Sequence, residues 1–343
     1  MKEQVKERKI NLEKRLDGKF AEAVTNVKDT AQALDCSGSS MFIIHKDKIV
    51  SEAYWGKHAN RDNARRIQKD SQFHVASVRK SYIGFAVAYA VHYRYIDSID
   101  DPLSKYLSVH NDVVTIRHLL THSHGLNVKE GKVIQEFKSG ENWAYRGINI
   151  HLLTEIVKKT TGRTVAQILE DEVFQPLGFK ETGWYAEQKE KLVEVIRDED
   201  DRFWSTEKET DGSQMNMYVS TRELAYWGYV HLKQGVIGGE QVIAKEIFQL
   251  ATALQSPALK GNYPQNGFLW FVKDRAVEKT EIGERVPKGS YQILGYTNVA
   301  VLVIPKDETV AVRMYNRFGS TPDFAYLSNI RSFGDTVMKC LQA

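Results

Sequence analysis

The sequence predicts a mixed α/β (α+β) protein with an antiparallel sheet built from both ends of the chain, flanked by helices, and a mostly helical insertion. Near the start, the runs Met41–Ile44 and Ile49–Tyr54 lie on either side of a polar turn, which is typical of a β-hairpin. Near the end, Val299–Ile304 and Thr309–Tyr315 lie on either side of a second turn. The patterns between the hairpins are mainly helical, so we expect one sheet interrupted by a helical insertion.

Helices are expected beside this sheet at both ends of the chain. Apolar residues at helical spacing predict one helix over about 14–34. A Ser-Thr-Pro sequence predicts the start of another, over about 320–341, with the proline in its first turn. The predicted organisation is an α/β sheet domain of residues 1–75 and 255–343 and a mostly helical domain of residues 76–254.

The composition is that of an ordinary globular protein with a mixed surface. Hydrophobic residues make up 42% of the 343 residues, and 47 basic against 44 acidic residues leave a net charge of +3. This balance does not favour nucleic acid or an anionic membrane as a partner. We therefore expect a small-molecule or peptide substrate, and the oligomeric state stays open.

The cysteines and the start of the chain bear on its compartment. Cys36 and Cys340 are too few for a disulfide framework and lack metal-ligand spacing, so we expect reduced thiols, with a single bridge as the alternative. The first sixteen residues are charged throughout and lack the apolar core of a signal peptide. The longest apolar stretch, Ile83–Val91, is about half as long as a bilayer requires. We expect a cytoplasmic protein without a membrane span, unless a leader has been removed.

Ser77 and Lys80 are the strongest candidates for chemistry. They precede a stretch, Tyr82–Val91, that is apolar almost all round and therefore predicts a buried helix. Residues three apart on a helix share a face, so the Ser77 hydroxyl and the Lys80 amine can meet. Ser77 would lie in the first turn, where unpaired N–H groups favour developing negative charge. Burial would lower the pKa of Lys80, and a serine needs such a base to become a nucleophile.

The Ser-x-x-Lys spacing alone is weak because the motif is short. A second copy runs from Ser205 to Lys208 within a charged segment that no apolar helix follows. We interpret that copy as chance, and the surroundings of Ser77 are what distinguish the first one.

The segment Phe73–Lys80 resembles the F-x-x-A-S-x-x-K motif of β-lactamase and penicillin-binding-protein-like serine hydrolases, which include class C β-lactamases, esterases and D-amino-acid peptidases. Further stretches resemble later motifs of this family in the same order: Tyr95–Leu103, Thr115–Leu126, Phe174–Phe179 and Val219–Ala225. The resemblance spans roughly residues 41–316. It implies a β-lactamase/transpeptidase-like fold and hydrolysis through an acyl-enzyme on Ser77, with no metal and no organic cofactor.

The resemblance also places the second family motif, Tyr-x-Asn, at Tyr145. It implies that the Tyr145 phenolate shares a proton with Lys80, serves Ser77 as a base and later activates water. Gly147 occupies the asparagine position, where the family's side-chain amide contacts the substrate, so that amide is missing.

The third family motif, Lys-Thr-Gly or His-x-Gly, is poorly matched within residues 288–298. Lys288 is the nearest lysine but is out of order. In the family this strand supplies a backbone N–H to the oxyanion hole, so the resemblance places Gly295 and Tyr296 at the substrate. The missing cation therefore bears on the recognition of β-lactams and acyl-D-Ala-D-Ala more than on acyl transfer itself.

Other candidate sites are weaker. His118, His122 and His124 could suggest a metal, but a packed turn explains them better, because no matching ligand spacing is present. No Gly-x-Ser-x-Gly elbow is present. We therefore expect an esterase or small-amide hydrolase, with a penicillin-binding or β-lactamase-like activity as the nearest alternative. A degenerate family member that binds a peptide or partner without turnover is the competing hypothesis.

Overall fold

The computed structural model of the chain describes residues 7–108, 113–198, 208–259 and 261–343. Within these ranges the strands are β1 (Glu13–Lys14), β2 (Gly38–His45), β3 (Lys48–Gly56), β4 (Gln72–His74), β5 (Leu126–Lys129), β6 (Lys132–Gln135), β7 (Thr182–Trp184), β8 (Met217–Ser220), β9 (Val236–Ile237), β10 (Glu240–Gln241), β11 (Gln265–Asn266), β12 (Phe271–Val272), β13 (Tyr291–Leu294), β14 (Ala300–Ile304) and β15 (Thr309–Tyr315). The α-helices are α1 (Ala21–Ala33), α2 (Lys80–His92), α3 (Ile116–Leu120), α4 (Ile148–Thr161), α5 (Val165–Leu169), α6 (Gln175–Leu177), α7 (Thr221–Leu232), α8 (Lys245–Thr252) and α9 (Tyr326–Gln342).

Eight strands from both ends of the chain form one sheet, in the order β1-β3-β2-β15-β14-β13-β12-β11. Every neighbouring pair is antiparallel except the short parallel pair β1 and β3. At the centre, β2 pairs with β15, so that Met41 lies opposite Arg313. The predicted mixed fold, with an antiparallel sheet from both chain ends and both hairpins, is confirmed. The domain boundaries stay a prediction.

Alternating side chains of the sheet are buried against helices on its two opposite faces. On β15, Val310 and Val312 join a core shared with α7, whereas Ala311 and Tyr315 join a second core shared with α1 and α9. This period of two is what a strand buried on both faces requires. The sheet therefore forms the middle layer between α7 on one side and the terminal helices on the other.

Helix α2 runs through the helical part of the molecule and is buried from Lys80 to Ala90. Trp227 of α7 stacks on Tyr82 with 4.3 Å between ring centroids, and its indole N–H donates to the Ser81 hydroxyl. A Cβ on Gly84 would lie 2.3 Å from the Phe268 carbonyl oxygen, so this close approach requires glycine. The predicted buried helix is present, and its first residue is Lys80.

The predicted helix over 14–34 begins later than expected. Residues Glu13–Lys14 pair with β3, and Asp17 then caps a short 3₁₀ turn by accepting from the Lys19 N–H. Helix α1 follows from Ala21, and Leu16 is exposed. Apolar spacing did not reveal that the chain first lies along the edge of the sheet, because that pairing is a tertiary contact.

The predicted C-terminal helix also begins later, at Tyr326. The Thr321 hydroxyl donates to the Ala33 carbonyl, and the Phe324 N–H donates to the Thr321 carbonyl. These bonds form a turn that fastens the segment to the end of α1. Pro322 therefore lies in a loop before the helix and not in its first turn.

Three further features concern the sequence hypotheses. Cys36 and Cys340 are free thiols. Across the described ranges, no helix has the length and apolar character needed to cross a bilayer, and no group of three or more metal-ligating side chains is assembled. Ser205, of the second Ser-x-x-Lys copy, lies outside the described residues.

Candidate active site

Ser77 lies where the chain turns from β4 into α2. Ala76, which precedes it, has φ +46°, a left-handed conformation that residues other than glycine rarely adopt. A 3₁₀ helix, Ala76–Arg79, then leads directly into α2. Side chains three residues apart line up on a 3₁₀ turn, so this geometry brings Ser77 and Lys80 together.

The Lys80 amine contacts both of its predicted partners. Lys80 Nζ lies 2.9 Å from Ser77 Oγ and 2.5 Å from Tyr145 Oη, and the residue is 5% exposed. Burial, assisted by the nearby charge of Arg79, lowers the pKa of Lys80 well below its usual value. Burial raises the pKa of Tyr145, and its hydrogen bond with Ser77 opposes that effect.

Tyr145 lies on the loop between β6 and α4. The Ala144 N–H donates to the His122 carbonyl at 3.0 Å, and the Gly140 N–H donates to the Ser123 carbonyl at 2.9 Å. The Trp143 indole N–H donates to Asn266 Oδ1 at 2.9 Å, which ties the loop to β11. These bonds hold Tyr145 over the start of α2. The residue is nevertheless 40% exposed to solvent.

Gly147 lies two residues beyond Tyr145, at the start of α4. Its φ is −74°, so the backbone does not require glycine there. A Cβ at this position would meet no atom within 4 Å. The asparagine position of the family motif is therefore open space beside the tyrosine.

Gly295 and Tyr296 follow β13 and lie against the strand end that leads to Ser77. A Cβ on Gly295 would lie 2.3 Å from the Val75 carbonyl oxygen. The Thr297 hydroxyl donates to the His74 carbonyl at 2.8 Å, which fixes the same turn to β4. Tyr296 is 48% exposed, and its ring packs edge-on against Phe318. Of the three predicted substrate-binding residues, Gly147, Gly295 and Tyr296, the last two thus lie on a turn that contacts the strand end before the nucleophile.

Within the part of the chain that the structure describes, β13 ends without a cationic side chain. The two residues before Gly295 are Ile293 and Leu294, both buried in apolar cores. Lys288 precedes the strand, is exposed and forms an ion pair with Asp274 at 3.1 Å. Lys288 therefore does not replace the motif's lysine or histidine.

Three residues that the sequence reasoning missed contact or influence this site. Arg79 donates to the Gln214 carbonyl at 2.8 Å, and its charge lowers the pKa of both Lys80 and Tyr145. His122 stacks on the Tyr145 ring. Burial raises the pKa of Glu281 to about 7, and its charge acts on Tyr145. Arg79 and His122 could have been found from the sequence, because both lie inside segments that resemble family motifs. Glu281 lies in no such segment.

The histidines near the site serve the turn around α3. Thr115 and His118 cap α3 reciprocally, and His124 Nδ1 accepts from the Leu126 N–H at 3.0 Å. The packed-turn interpretation therefore describes what these two histidines do.

Comparisons with known proteins bear on the family and the fold of the chain. The family model "Beta-lactamase" matches residues 23–331. An uncharacterized protein of Alkalihalophilus pseudofirmus is 59% identical over 336 residues, which cover 97% of this chain and 99% of that protein. Esterase EstB of Burkholderia gladioli is 25% identical over 179 residues, covering 41% and 45% of the two chains. A solved class C beta-lactamase superposes with a TM-score of 0.74 at 14% identity, covering 95% of this chain and 96% of that one. The fold is thus that of the β-lactamases.

Proposed function

Because the chain belongs to the β-lactamase family, we propose that it is a serine hydrolase that forms an acyl-enzyme on Ser77. The observation that carries this proposal is the position of Lys80 Nζ, 2.9 Å from Ser77 Oγ and 2.5 Å from Tyr145 Oη. A buried amine of lowered pKa is neutral for more of the time, and a neutral amine can accept the serine proton.

The proposed reaction proceeds in two halves. Ser77 Oγ forms a bond to the substrate carbonyl carbon as its proton passes to the Lys80–Tyr145 pair. The tetrahedral intermediate then collapses, and the leaving oxygen or nitrogen takes that proton as its bond to the carbonyl carbon breaks. Water, losing a proton to the same pair, then bonds to the acyl carbon. The bond between that carbon and Ser77 Oγ breaks, Oγ takes the proton back, and the carboxylic acid leaves.

Two backbone N–H groups are proposed to hold the oxyanion. One belongs to Ser77, in the first turn of its 3₁₀ helix. Of the two residues after β13, Gly295 uses its N–H to donate to the Val299 carbonyl at 2.9 Å. We assign the second donor to Tyr296, which the family resemblance places at the substrate, and a spacing role to Gly295.

An ester or small amide is the substrate that we propose. The buried Ile293 and Leu294 supply no cation for the carboxylate of a β-lactam or acyl-D-Ala-D-Ala substrate. A relative that matches part of the chain is named an esterase, which supports the same choice. A penicillin-binding or β-lactamase-like activity is the alternative.

Intact-mass spectrometry tests the proposal. The wild type and Ser77→Ala are incubated separately with a fluorophosphonate probe and with a penicillin. We expect a Ser77-dependent adduct with the fluorophosphonate and little with the penicillin. Rapid adducts with both reagents would favour a β-lactam-accepting enzyme instead.

The second candidate is a binding protein without turnover. Gly147 in place of the motif's asparagine and the absent cation on β13 favour it. Formation of no adduct with either reagent, in a folded protein, would contradict acyl transfer and make this candidate the better one.

A further inference from the structure

Among the described residues, the aromatic ring closest to the candidate catalytic tyrosine is the imidazole of His122. Its ring and that of Tyr145 are 4.6 Å apart between centroids and only 25° from parallel. Trp143 approaches His122 edge-on at 5.8 Å, and His122 is 1% exposed. The phenol therefore rests with one face on a buried flat ring.

The backbone of His122 also holds the tyrosine loop. Its carbonyl accepts from the Ala144 N–H, directly before Tyr145. His122 itself has φ +57°, a left-handed conformation that histidine tolerates better than most side chains. One residue thus fixes the loop's backbone and the orientation of the phenol.

The hydrogen bonds around His122 indicate which nitrogen of its ring carries the proton. Asn149 Nδ2 has two hydrogens, and it donates one to the Leu119 carbonyl at 2.8 Å. The other points to His122 Nδ1 at 3.3 Å, so Nδ1 is the acceptor and the ring proton lies on Nε2. Burial and the neighbouring Lys80 charge lower the pKa of His122, and the ring is therefore neutral.

We propose that His122 is a positioning residue for acyl transfer, whose neutral ring holds the Tyr145 hydroxyl against Lys80 Nζ. The inference rests on the proposed function, because it assigns His122 a role in the same reaction. A neutral ring can lie beside Lys80 without placing a buried positive charge next to the amine. A positioned phenol keeps the proton pathway from Ser77 short, and small misplacements of such groups are costly.

Two substitutions separate the ring from the rest of the side chain. In His122→Asn, the asparagine can adopt the left-handed backbone conformation, and its side-chain oxygen can accept from Asn149. The stacked ring is removed. His122→Phe retains a flat ring and removes the acceptor. We expect His122→Asn to lower kcat for a p-nitrophenyl ester by about 10- to 100-fold with little change in KM. His122→Phe should have a kcat much closer to that of the wild type, because it retains the stacked ring.

The matched control is His124→Asn. His124 is a buried histidine of the same turn, and within the described residues the rings that pack on Tyr145 are those of His122 and Trp143. We expect its kcat to equal that of the wild type at temperatures where thermal denaturation shows every variant to be folded. If His122→Phe does not fold, the comparison of the two asparagine variants decides alone.

The results that would overturn the inference are distinct from failure of the proposed function. A wild-type kcat in His122→Asn, or an equal loss in His122→Asn and His122→Phe, would show that the stacked ring does not position the phenol. Failure of the proposed function would appear earlier, as a wild-type protein whose Ser77 does not react with a fluorophosphonate.

Discussion

The amine of Lys80 lies 2.5 Å from the phenol oxygen of Tyr145 and 4.2 Å from the centroid of its ring. Free lysine and tyrosine side chains have similar pKa values, so small effects of the surroundings decide which of the two holds a shared proton. Burial lowers the pKa of the amine and raises that of the phenol, which favours a neutral amine beside a neutral phenol. Lys80 is then the group that we expect to take the Ser77 proton first, with Tyr145 as its relay.

Replacement of Lys80 by methionine separates catalysis from stability. We expect Lys80→Met to slow acylation of Ser77 by a fluorophosphonate by about 100- to 10,000-fold, as loss of a general base does. We also expect its Tm to equal or exceed that of the wild type, because no carboxylate of the described residues forms an ion pair with this buried amine. Stopped labelling reactions and thermal denaturation measure the two effects.

Lys138→Met provides the control, because Lys138 is an exposed lysine. It should change neither the labelling rate nor the Tm. A Lys80→Met variant that labels at the wild-type rate would mean that another group activates Ser77.

The stability of the protein should fall as the pH falls below about 6.5. His231 is packed among the rings of Trp227, Phe248 and Trp270, and burial lowers its pKa to about 4. Between about pH 6.5 and pH 4 the unfolded chain binds a proton at this site and the folded chain does not. The unfolded state is therefore favoured as the pH falls, by about 1.4 kcal/mol per pH unit.

Urea unfolding at pH 7.5 and pH 5 measures this contribution. In His231→Phe, which cannot take up the proton, we expect the acid loss to be smaller by about 2 kcal/mol. His151→Gln, at an exposed position, should lose as much stability as the wild type. Equal losses in the wild type and in His231→Phe would mean that His231 is protonated in the folded protein.

The contact between Ser77 and Lys80 could be predicted from their spacing together with the apolar helix that follows, since residues three apart line up on a tight helical turn. The two hairpins likewise follow from local patterns. Tyr145 could be assigned only through a family motif, because its place depends on hydrogen bonds between loops, such as that from Ala144 to His122. Local pattern carries no information about such distant partners.

The same limit explains the incorrect helix starts. Lys14 falls at the start of the predicted helix but pairs with β3, and the segment at Thr321 bonds to the end of α1. Tertiary hydrogen bonds override helical propensity in both places. The stacking of His122 on Tyr145 could not be predicted from the sequence either, because contacts between rings on different turns produce no periodic sequence pattern.

Gly295→Ala tests the turn that is proposed to carry the oxyanion donor. The new methyl group would lie 2.3 Å from the Val75 carbonyl oxygen, so the turn after β13 must move away from Ser77. Loss of one oxyanion donor costs about 100- to 1,000-fold in kcat, and we expect a loss of that size here. Ester hydrolysis is the assay.

Gly18→Ala is the control for a glycine substitution, because its Cβ would meet nothing within 4 Å. Its kcat should be that of the wild type. If Gly295→Ala retained full kcat, the Tyr296 N–H would not be the oxyanion donor.

Gly147→Asn tests whether the missing amide limits the reaction with β-lactams. The side chain would enter open space at φ −74°, so we expect the fold to tolerate it and to gain up to about 1 kcal/mol from the less flexible unfolded chain. With the amide restored beside Tyr145, we expect penicillin to acylate Ser77 faster, by about two- to tenfold if one hydrogen bond to the substrate is gained. Intact-mass time courses measure the rate.

Gly147→Ala is the matched variant, because it has the same backbone effect without the amide. Its stability should match that of Gly147→Asn, and its reaction with penicillin should match that of the wild type. If the alanine and asparagine variants gain β-lactam reactivity equally, the backbone and not the amide controls it. If neither gains, the buried Ile293 and Leu294 at the end of β13 remain the barrier, because they leave the carboxylate of the β-lactam without a cation.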